Sequence, residues 1–379
     1  MLKLIVDENI AFAEKAFNQF GNVILLSGRE ITNSTLKDAD ILIVRSITNV
    51  SKELLKNTGV KFVGTATIGT DHIDLEHLKV NNIYFADAKG CNAYSVAEYI
   101  VAALLNLAER FDFSLQDKSI GIVGVGNVGS KVTRFAEALG MKVLLNDPPL
   151  KRNGENKNFV ELAEILKCDI ITLHTPLNLN GVDKTYHLFD KSNLNKLKDG
   201  AILINSSRGA VVKNLDLINA IDKKNLKVVL DVWENEPDFN EDLLNEVLIA
   251  TPHIAGYSYE GKVKGTKMVY ESLCKYLNEE ITFDFKLDTP PNSILHFEDE
   301  INIESALNRL ISKIYSIKND DDKMKKSYIM NMQERIEYFD LQRKNYPIRR
   351  EFDNYSIDSE KLSKGTKDIL EKLRFKLFI

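Results

Sequence analysis

The chain of 379 residues has 28% charged residues and a net charge of −5, the balance of an ordinary soluble protein, which argues against a dedicated polyanion binder. Its three cysteines, Cys91, Cys168 and Cys274, show no CxxC spacing and so suggest neither a disulfide framework nor a zinc knuckle. No apolar run reaches membrane-spanning length and residues 1–8 read as a first strand rather than a signal-peptide core, so a cytoplasmic protein is expected.

From the N-terminus to about residue 92, short strands alternate with amphipathic stretches. Residues 2–6, 23–26, 41–44, 62–63 and 83–85 read as strands, and 13–20 and 52–57 as helices between them, which predicts a small α/β domain. Two of these strands end in polar groups suited to a ligand: Arg45-Ser46, and the run from Thr65 through Thr67 to His72. Ser and Thr at such junctions also serve as helix caps. Gly90-Cys-Asn-Ala-Tyr-Ser95 leads into a long helix ending near Arg110, and Ser95 with Glu98 has the S-x-x-E spacing of a capping box.

The stretch that follows organises the chain. Ile120, Ile122, Val123 and Val125 form an apolar run of the kind found in a central parallel strand. Gly124-Val-Gly126-Asn127-Val128-Gly129 then matches the dinucleotide fingerprint G-x-G-x-x-G. Its first glycine permits a tight turn, its second lets backbone approach a pyrophosphate, and its third lets helix pack on strand. The phosphates sit at the helix N-terminus, where free N–H groups favour negative charge. A helix over 131–139 and a strand over 141–145 complete the βαβ unit. That strand ends at Asp147, roughly 20 residues past the last glycine, where an acid hydrogen-bonds the adenosine ribose and repels a 2′-phosphate, so NAD is expected over NADP.

Beyond Asp147 the rhythm continues. Helices are predicted over 159–166, 192–197, 214–221 and 243–247, and strands over 169–173, 201–205, 228–231 and 248–250. Polar clusters follow several strands: Thr172-Leu-His174-Thr175, Asn205-Ser206-Ser207-Arg208, Asp231 and Thr251-Pro-His253. Ligands bind outside the carboxyl ends of strands in open α/β sheets, so these clusters should converge. A helix over 257–278 is placed to return to the first domain. The tail from about 286 is rich in Lys, Asp and Asn, carries an amphipathic helix over 301–315, and suggests an assembly domain. Within it, Asp320-Asp321-Asp322 reads as a solvated turn without EF-hand spacing. No His/Cys pattern suggests a metal site.

Arg208, Glu236 and His253 are the informative constellation. Oxidising a 2-hydroxy acid with NAD needs a cation for the carboxylate, and a guanidinium holds it with two parallel hydrogen bonds. It needs a base for the hydroxyl proton, for which imidazole suits neutral pH. It also needs an acid that fixes the imidazole tautomer. Each of the three residues follows a core strand of the same nucleotide-binding unit.

These segments resemble the D-isomer-specific 2-hydroxyacid dehydrogenases over residues 1 to about 280. Arg45-Ser46, the 64–72 run, Asn146-Asp147-Pro-Pro149, His253-Ile-Ala-Gly256-Tyr257 and the 339–352 stretch of the tail resemble the vitamin B6 branch of that family, the 4-phosphoerythronate dehydrogenases. The resemblance implies a discontinuous flavodoxin-like α/β substrate domain (1–92 with 258–285), a Rossmann-type doubly wound parallel sheet domain for NAD (93–257), and a small α+β C-terminal dimerisation domain (286–379). It implies NAD-dependent oxidation of 4-phospho-D-erythronate to (R)-3-hydroxy-2-oxo-4-phosphooxybutanoate by a homodimer. It places Ser46, Thr67 and Tyr257 at the substrate. At the cofactor it places Asn127, Val128, Asp147, Thr175, Ser206, Ser207, Arg208, Asp231 and Gly256. Arg45, Arg349 and Arg350 are alternatives for the substrate phosphate. Two other readings stand beside this one: a sister enzyme acting on another acid such as 3-phosphoglycerate, and an NAD(H)-sensing protein without turnover. The tail argues against the first, and the intact Arg208, Glu236 and His253 against the second.

Overall fold

The computed structural model describes all 379 residues, Met1–Ile379, which form two compact units. One holds Met1–Asn92 with Ser258–Asp288, and the other Ala93–Tyr257 with Thr289–Ile379. No helix is long and apolar enough to cross a membrane.

In the first unit, strands β1 (Leu2–Asp7), β2 (Gly21–Leu26), β3 (Ile41–Val44), β4 (Phe62–Thr65) and β5 (Tyr84–Ala86) form a parallel sheet in the order β2-β1-β3-β4-β5. That is the flavodoxin-like order. The β3 sequence, Ile-Leu-Ile-Val, is buried at every position, as a parallel strand covered on both faces requires. Helix Tyr259–Leu277 supplies Val269, Tyr270 and Leu273 to a core with Leu4, Val6, Ile41, Ile43 and Phe62. A methyl added at Gly64 would come within 2.5 Å of Val269, so glycine there lets this helix sit close on β4. The return predicted for the 257–278 helix is therefore observed.

In the second unit, β6 (Ser119–Val123), β7 (Lys142–Asn146), β8 (Ile170–Leu173), β9 (Ile202–Asn205), β10 (Lys227–Leu230) and β11 (Ile249–Ala250) form a parallel sheet in the order β11-β10-β9-β8-β6-β7. The strand order reverses at β6, which puts the carboxyl ends of β6 and β8 at the switch point. Phe159 adds a single parallel bridge outside β7, at Leu145. This corrects the helix expected from 159: Phe159 extends the sheet, and the helix is only Leu162–Ile165.

The tail packs within this second unit. Strands β12 (Ile294–Leu295), β13 (Ser356–Asp358) and β14 (Lys376–Phe378) form a small parallel sheet beside helices Ile303–Ile314, Ile317–Lys325, Met332–Lys344 and Lys364–Lys372. Ala306, Leu307, Leu310 and Ile311 join a core with Leu104, Leu105 and Leu107 of helix Ala93–Phe111. Each buried Leu or Ile is worth roughly 1.5–3 kcal/mol relative to exposure, enough to tie the tail down. Phe339 and Met324 join Phe239, Leu243 and Leu244 in another core cluster.

Two local readings are corrected here. Helix Ala93–Phe111 starts before Ser95, so Ser95 and Glu98 lie inside it and form no capping box. The Ser95 hydroxyl donates to the Ala255 carbonyl at 3.1 Å, and the buried Glu98 accepts the Phe352 N–H at 2.9 Å. Burial and the nearby Glu351 push the Glu98 carboxyl well above its usual range. Likewise Asp320-Asp321-Asp322 is helical rather than a turn. Asp321 accepts the Ala250 N–H of β11 at 2.8 Å, and burial raises the pKa of both Asp320 and Asp321.

Candidate active site

After β6 the chain turns at Gly124, whose φ is +85°. A side chain there would meet the His174 carbonyl at 2.6 Å, and one at Gly129 would meet the Gly124 carbonyl at 2.0 Å. These two glycines let strand, turn and helix close on each other. Gly126 is different: a methyl would meet nothing within 4 Å, so the space over its backbone is open. Helix Asn127–Ala138 starts here with no side-chain cap, leaving first-turn N–H groups for an anion. Exposed Asn127 and half-buried Val128 form its first turn.

Asp147 at the end of β7 accepts the Val125 N–H at 2.8 Å and the Leu150 N–H at 3.0 Å, so it ties the glycine turn to the next strand as well as capping helix Pro148–Arg152. Each oxygen keeps a second lone pair for a ribose hydroxyl. Nearby, Thr175 Oγ1, Ser206 Oγ and His174 Nδ1 are buried without a hydrogen-bond partner. Buried polar atoms are nearly always paired. Two of these three belong to residues expected at the cofactor, and Thr175 lies against Gly124. The residues present therefore fit a dinucleotide. The His174 Nε2 is 2.9 Å from Thr172 Oγ1, and burial brings its pKa down to about 3, so the ring is neutral.

The catalytic candidates sit at the ends of β9, β10 and β11. Asn205 closes the β9 turn: its amide donates to the Arg208 carbonyl at 2.9 Å, and its oxygen accepts Ser207 N–H and Oγ–H at 3.1 and 2.9 Å. The half-buried Arg208 guanidinium donates to the Ser207 carbonyl at 2.7 Å. Gly209 then passes so close to Trp233 that a methyl would lie 2.0 Å from its backbone carbonyl. The Trp233 N–H donates to Glu236 Oε2 at 3.0 Å, and Glu236 Oε1 meets His253 Nδ1. The Trp233 backbone thus links the loop after Arg208 to the Glu236–His253 pair.

The loop carrying His253 is strapped down by Asp231. This buried carboxylate accepts from Thr251 Oγ1 at 2.6 Å, Ile254 N–H at 2.7 Å and Ala255 N–H at 2.9 Å, while its carbonyl accepts the His253 N–H at 2.7 Å. The resemblance puts Asp231 at the cofactor; in the structure its carboxylate shapes the histidine loop. His253 is held at φ +57°, a left-handed conformation costly for a residue with a side chain. Its side chain remains 32% exposed. Burial pushes the Glu236 carboxyl up, but His253, the Trp233 N–H and Arg343 outweigh it and hold the pKa below the usual range. An ionised carboxylate only accepts, so Nδ1 carries a proton, and in a neutral ring Nε2 is the atom with the lone pair.

Arg343 was missed as a candidate; its only signal was its place in the 339–352 stretch. Its Cζ lies 5.9 Å from the Tyr257 ring centre, and Tyr257 and Glu236 keep it charged despite burial. Tyr257 also meets Tyr346 edge-on at 5.7 Å, and the Tyr346 hydroxyl donates to Asp320 at 2.7 Å. Gly256, partly exposed, precedes Tyr257. Arg349 and Arg350, two of the alternatives for the substrate phosphate, are buried. Arg349 is 4% exposed and donates to the Ser95 carbonyl and hydroxyl, both at 2.6 Å, and to the Ala255 carbonyl at 2.8 Å. Arg350 is buried and donates to Asn354 at 3.1 Å. In the other unit, Thr67 Oγ1 is 2.7 Å from Thr65 Oγ1, and Ser46 is exposed past the end of β3.

Residues 92–255 match the profile of the D-isomer specific 2-hydroxyacid dehydrogenase, NAD binding domain, and residues 286–373 match a domain of unknown function (DUF3410). Erythronate-4-phosphate dehydrogenase of Proteus mirabilis is 44% identical over 94% of both chains, and that of Yersinia enterocolitica 43% identical over 99% of both. Among solved structures, NAD-bound 3-phosphoglycerate dehydrogenase of Entamoeba histolytica is 25% identical with a TM-score of 0.64, covering 76% of this chain and 99% of its own. With near-complete alignment to these relatives, the chain belongs to the D-isomer specific 2-hydroxyacid dehydrogenase family, alongside its erythronate-4-phosphate dehydrogenases.

Proposed function

We propose that the protein oxidises 4-phospho-D-erythronate to (R)-3-hydroxy-2-oxo-4-phosphooxybutanoate in vitamin B6 synthesis, with NAD as the oxidant. The names of relatives aligned over nearly the whole chain support this substrate. The observation that carries the chemistry is the Glu236–His253 pair with its Nε2 left free. NAD, held by the glycine turn, Asp147, Thr175 and Ser206, supplies the hydride acceptor. Arg208 grips the substrate carboxylate and polarises the C2 oxygen. His253 Nε2 takes the hydroxyl proton, and Glu236 stabilises the imidazolium that results. Tyr257 is a substrate contact braced by Arg343, and Ser46 and Thr67 are assigned to substrate by resemblance. Residues 1–92 with 258–285 take substrate, 93–257 take NAD, and 286–379 join two copies. The three cysteines are free and buried, in keeping with a cytoplasmic protein.

The test is NADH turnover, in both directions, on 4-phospho-D-erythronate, D-erythronate, 3-phospho-D-glycerate and D-lactate. Activity confined to the first supports the reading, and activity confined to another acid overturns the substrate while keeping the mechanism. Retained NADH binding without any turnover replaces it with a sensor.

A further inference from the structure

The loop after β10 carries two carboxylates, and each meets a histidine. Glu236 meets His253; two residues earlier, Glu234 Oε1 lies 2.5 Å from His187 Nε2. Both side chains of this second pair are mostly buried, at 18% and 20% exposed, and the reaction chemistry does not use them. Glu234 also grips the segment that follows Arg208. Its Oε2 accepts the Asn214 N–H at 3.0 Å. The buried Asn214 amide, turned so that both its ends are satisfied, accepts the Glu234 N–H at 3.1 Å and donates to the Val212 carbonyl at 3.2 Å. Gly209 completes the approach, since a methyl there would lie 2.4 Å from the Glu234 nitrogen.

The His187 segment straps the same stretch. The His187 and Phe189 N–H groups donate to the Ala210 and Val211 carbonyls at 2.8 and 3.0 Å, and the Lys213 N–H donates back to the Phe189 carbonyl at 3.1 Å. The His187–Glu234 contact therefore closes a ring of three segments, 187–189, 209–214 and 233–236. Arg208 adjoins the second and Glu236 ends the third. The backbone in this ring is strained: His187 and Asn235 have φ of +53° and +64°, left-handed values that persist only where neighbours over-determine them. The His187 ring also stacks on Tyr186, with 3.9 Å between centres, which holds its plane. A mostly buried ionic pair adds little net stability over an apolar pair of the same shape, but it dictates which atoms meet.

We infer that the His187–Glu234 pair positions Arg208: it keeps the segment after Arg208 in register with the Trp233–Glu236 loop, so that the guanidinium meets the substrate carboxylate. This rests on the carboxylate role given to Arg208 above, and the test separates the two. His187→Phe keeps the stacked ring and removes Nε2, Glu234→Leu removes the acceptor, and His187→Gln restores a donor to Glu234. The probe is oxalate, a flat dicarboxylate shaped like a 2-oxo acid, titrated into the full-length protein saturated with NADH. Its dissociation constant should rise about 10- to 100-fold in His187→Phe and Glu234→Leu, the effect of displacing a binding group by about 1 Å. KM for the hydroxy acid should rise by a similar factor, NADH affinity should change far less, and His187→Gln should recover most of the loss. Three results overturn the positioning role: oxalate binding like wild type in both variants, even with a lowered melting temperature; an equal loss of NADH and oxalate binding; or His187→Gln no better than His187→Phe. Arg208→Lys is the reference. If it binds oxalate like wild type, the carboxylate role falls and the positioning role with it. If it binds oxalate weakly while His187→Phe and Glu234→Leu bind normally, only the positioning role falls.

Discussion

Replacing Glu236 by Gln should cripple the enzyme while leaving its shape intact. Glu236 serves two donors at once: Oε2 accepts the Trp233 N–H at 3.0 Å, and Oε1 accepts from His253 Nδ1. A Gln has only one acceptor oxygen. If that oxygen stays with the Trp233 N–H, the amide NH2 faces His253 and forces Nδ1 to accept. The ring proton then moves to Nε2, the atom that must receive the substrate proton. Flipping the amide restores the tautomer but sets NH2 against the Trp233 N–H, at about 1–3 kcal/mol for an unsatisfied buried donor. Loss of the charge-assisted bond to the imidazolium adds about 1.5–3 kcal/mol. The barrier should therefore rise by about 2.5–6 kcal/mol, a fall in kcat of about 70-fold to 25,000-fold. The assay is kcat for alcohol oxidation under saturating substrate and NAD, with the melting temperature as the control for folding. A variant with more than a tenth of wild-type kcat and an intact melting temperature would refute the tautomer argument.

His253→Ala should lower kcat for alcohol oxidation by about 100-fold to 10,000-fold, because its Nε2 is the proposed base; activity near wild type would contradict that role. Asp147→Ala should erode the preference for NAD over NADP, and unchanged discrimination would leave Asp147 only its contacts to Val125 and Leu150. Arg349→Ala should destabilise the second unit by about 3–5 kcal/mol, since it removes the cation bound to Ser95 and Ala255 and leaves the buried Glu98 less compensated; denaturant melts read this, and a change under about 1 kcal/mol would contradict it. His174 should make the fold acid-sensitive. Burial lowers its imidazole pKa from the ordinary 6.5 to about 3 in the folded chain, so its contribution is complete above about 6.5 and is lost as pH falls toward 3. In His174→Asn, stability measured over that window should fall less steeply than in wild type.

Much of this protein is legible in its residues alone. The strand, glycine turn and helix around Gly124–Gly129 follow from local rules, because a tight turn and a close helix approach admit no side chain at Gly124 or Gly129. Arg208, Glu236 and His253 could be picked out because the reaction demands those functional groups, and their positions after core strands follow from the α/β rhythm. The second set of facts depends on contacts between distant segments. Ser95 and Glu98 have capping spacing, yet they are buried inside a helix because the tail brings Arg349 and Phe352 to them. Asp320–Asp322 has the composition of a solvated turn, yet β11 and Tyr346 supply donors that make burial tolerable. Arg343 sits in a run of ordinary surface residues, and only packing sets it against Tyr257 and Glu236. A hydrophobic period reports which face of an element is buried, but a charge can be buried wherever a partner compensates its lost hydration. That partner is chosen by the tertiary structure, which is why the contact of Arg343 with Tyr257 became visible only in the folded chain.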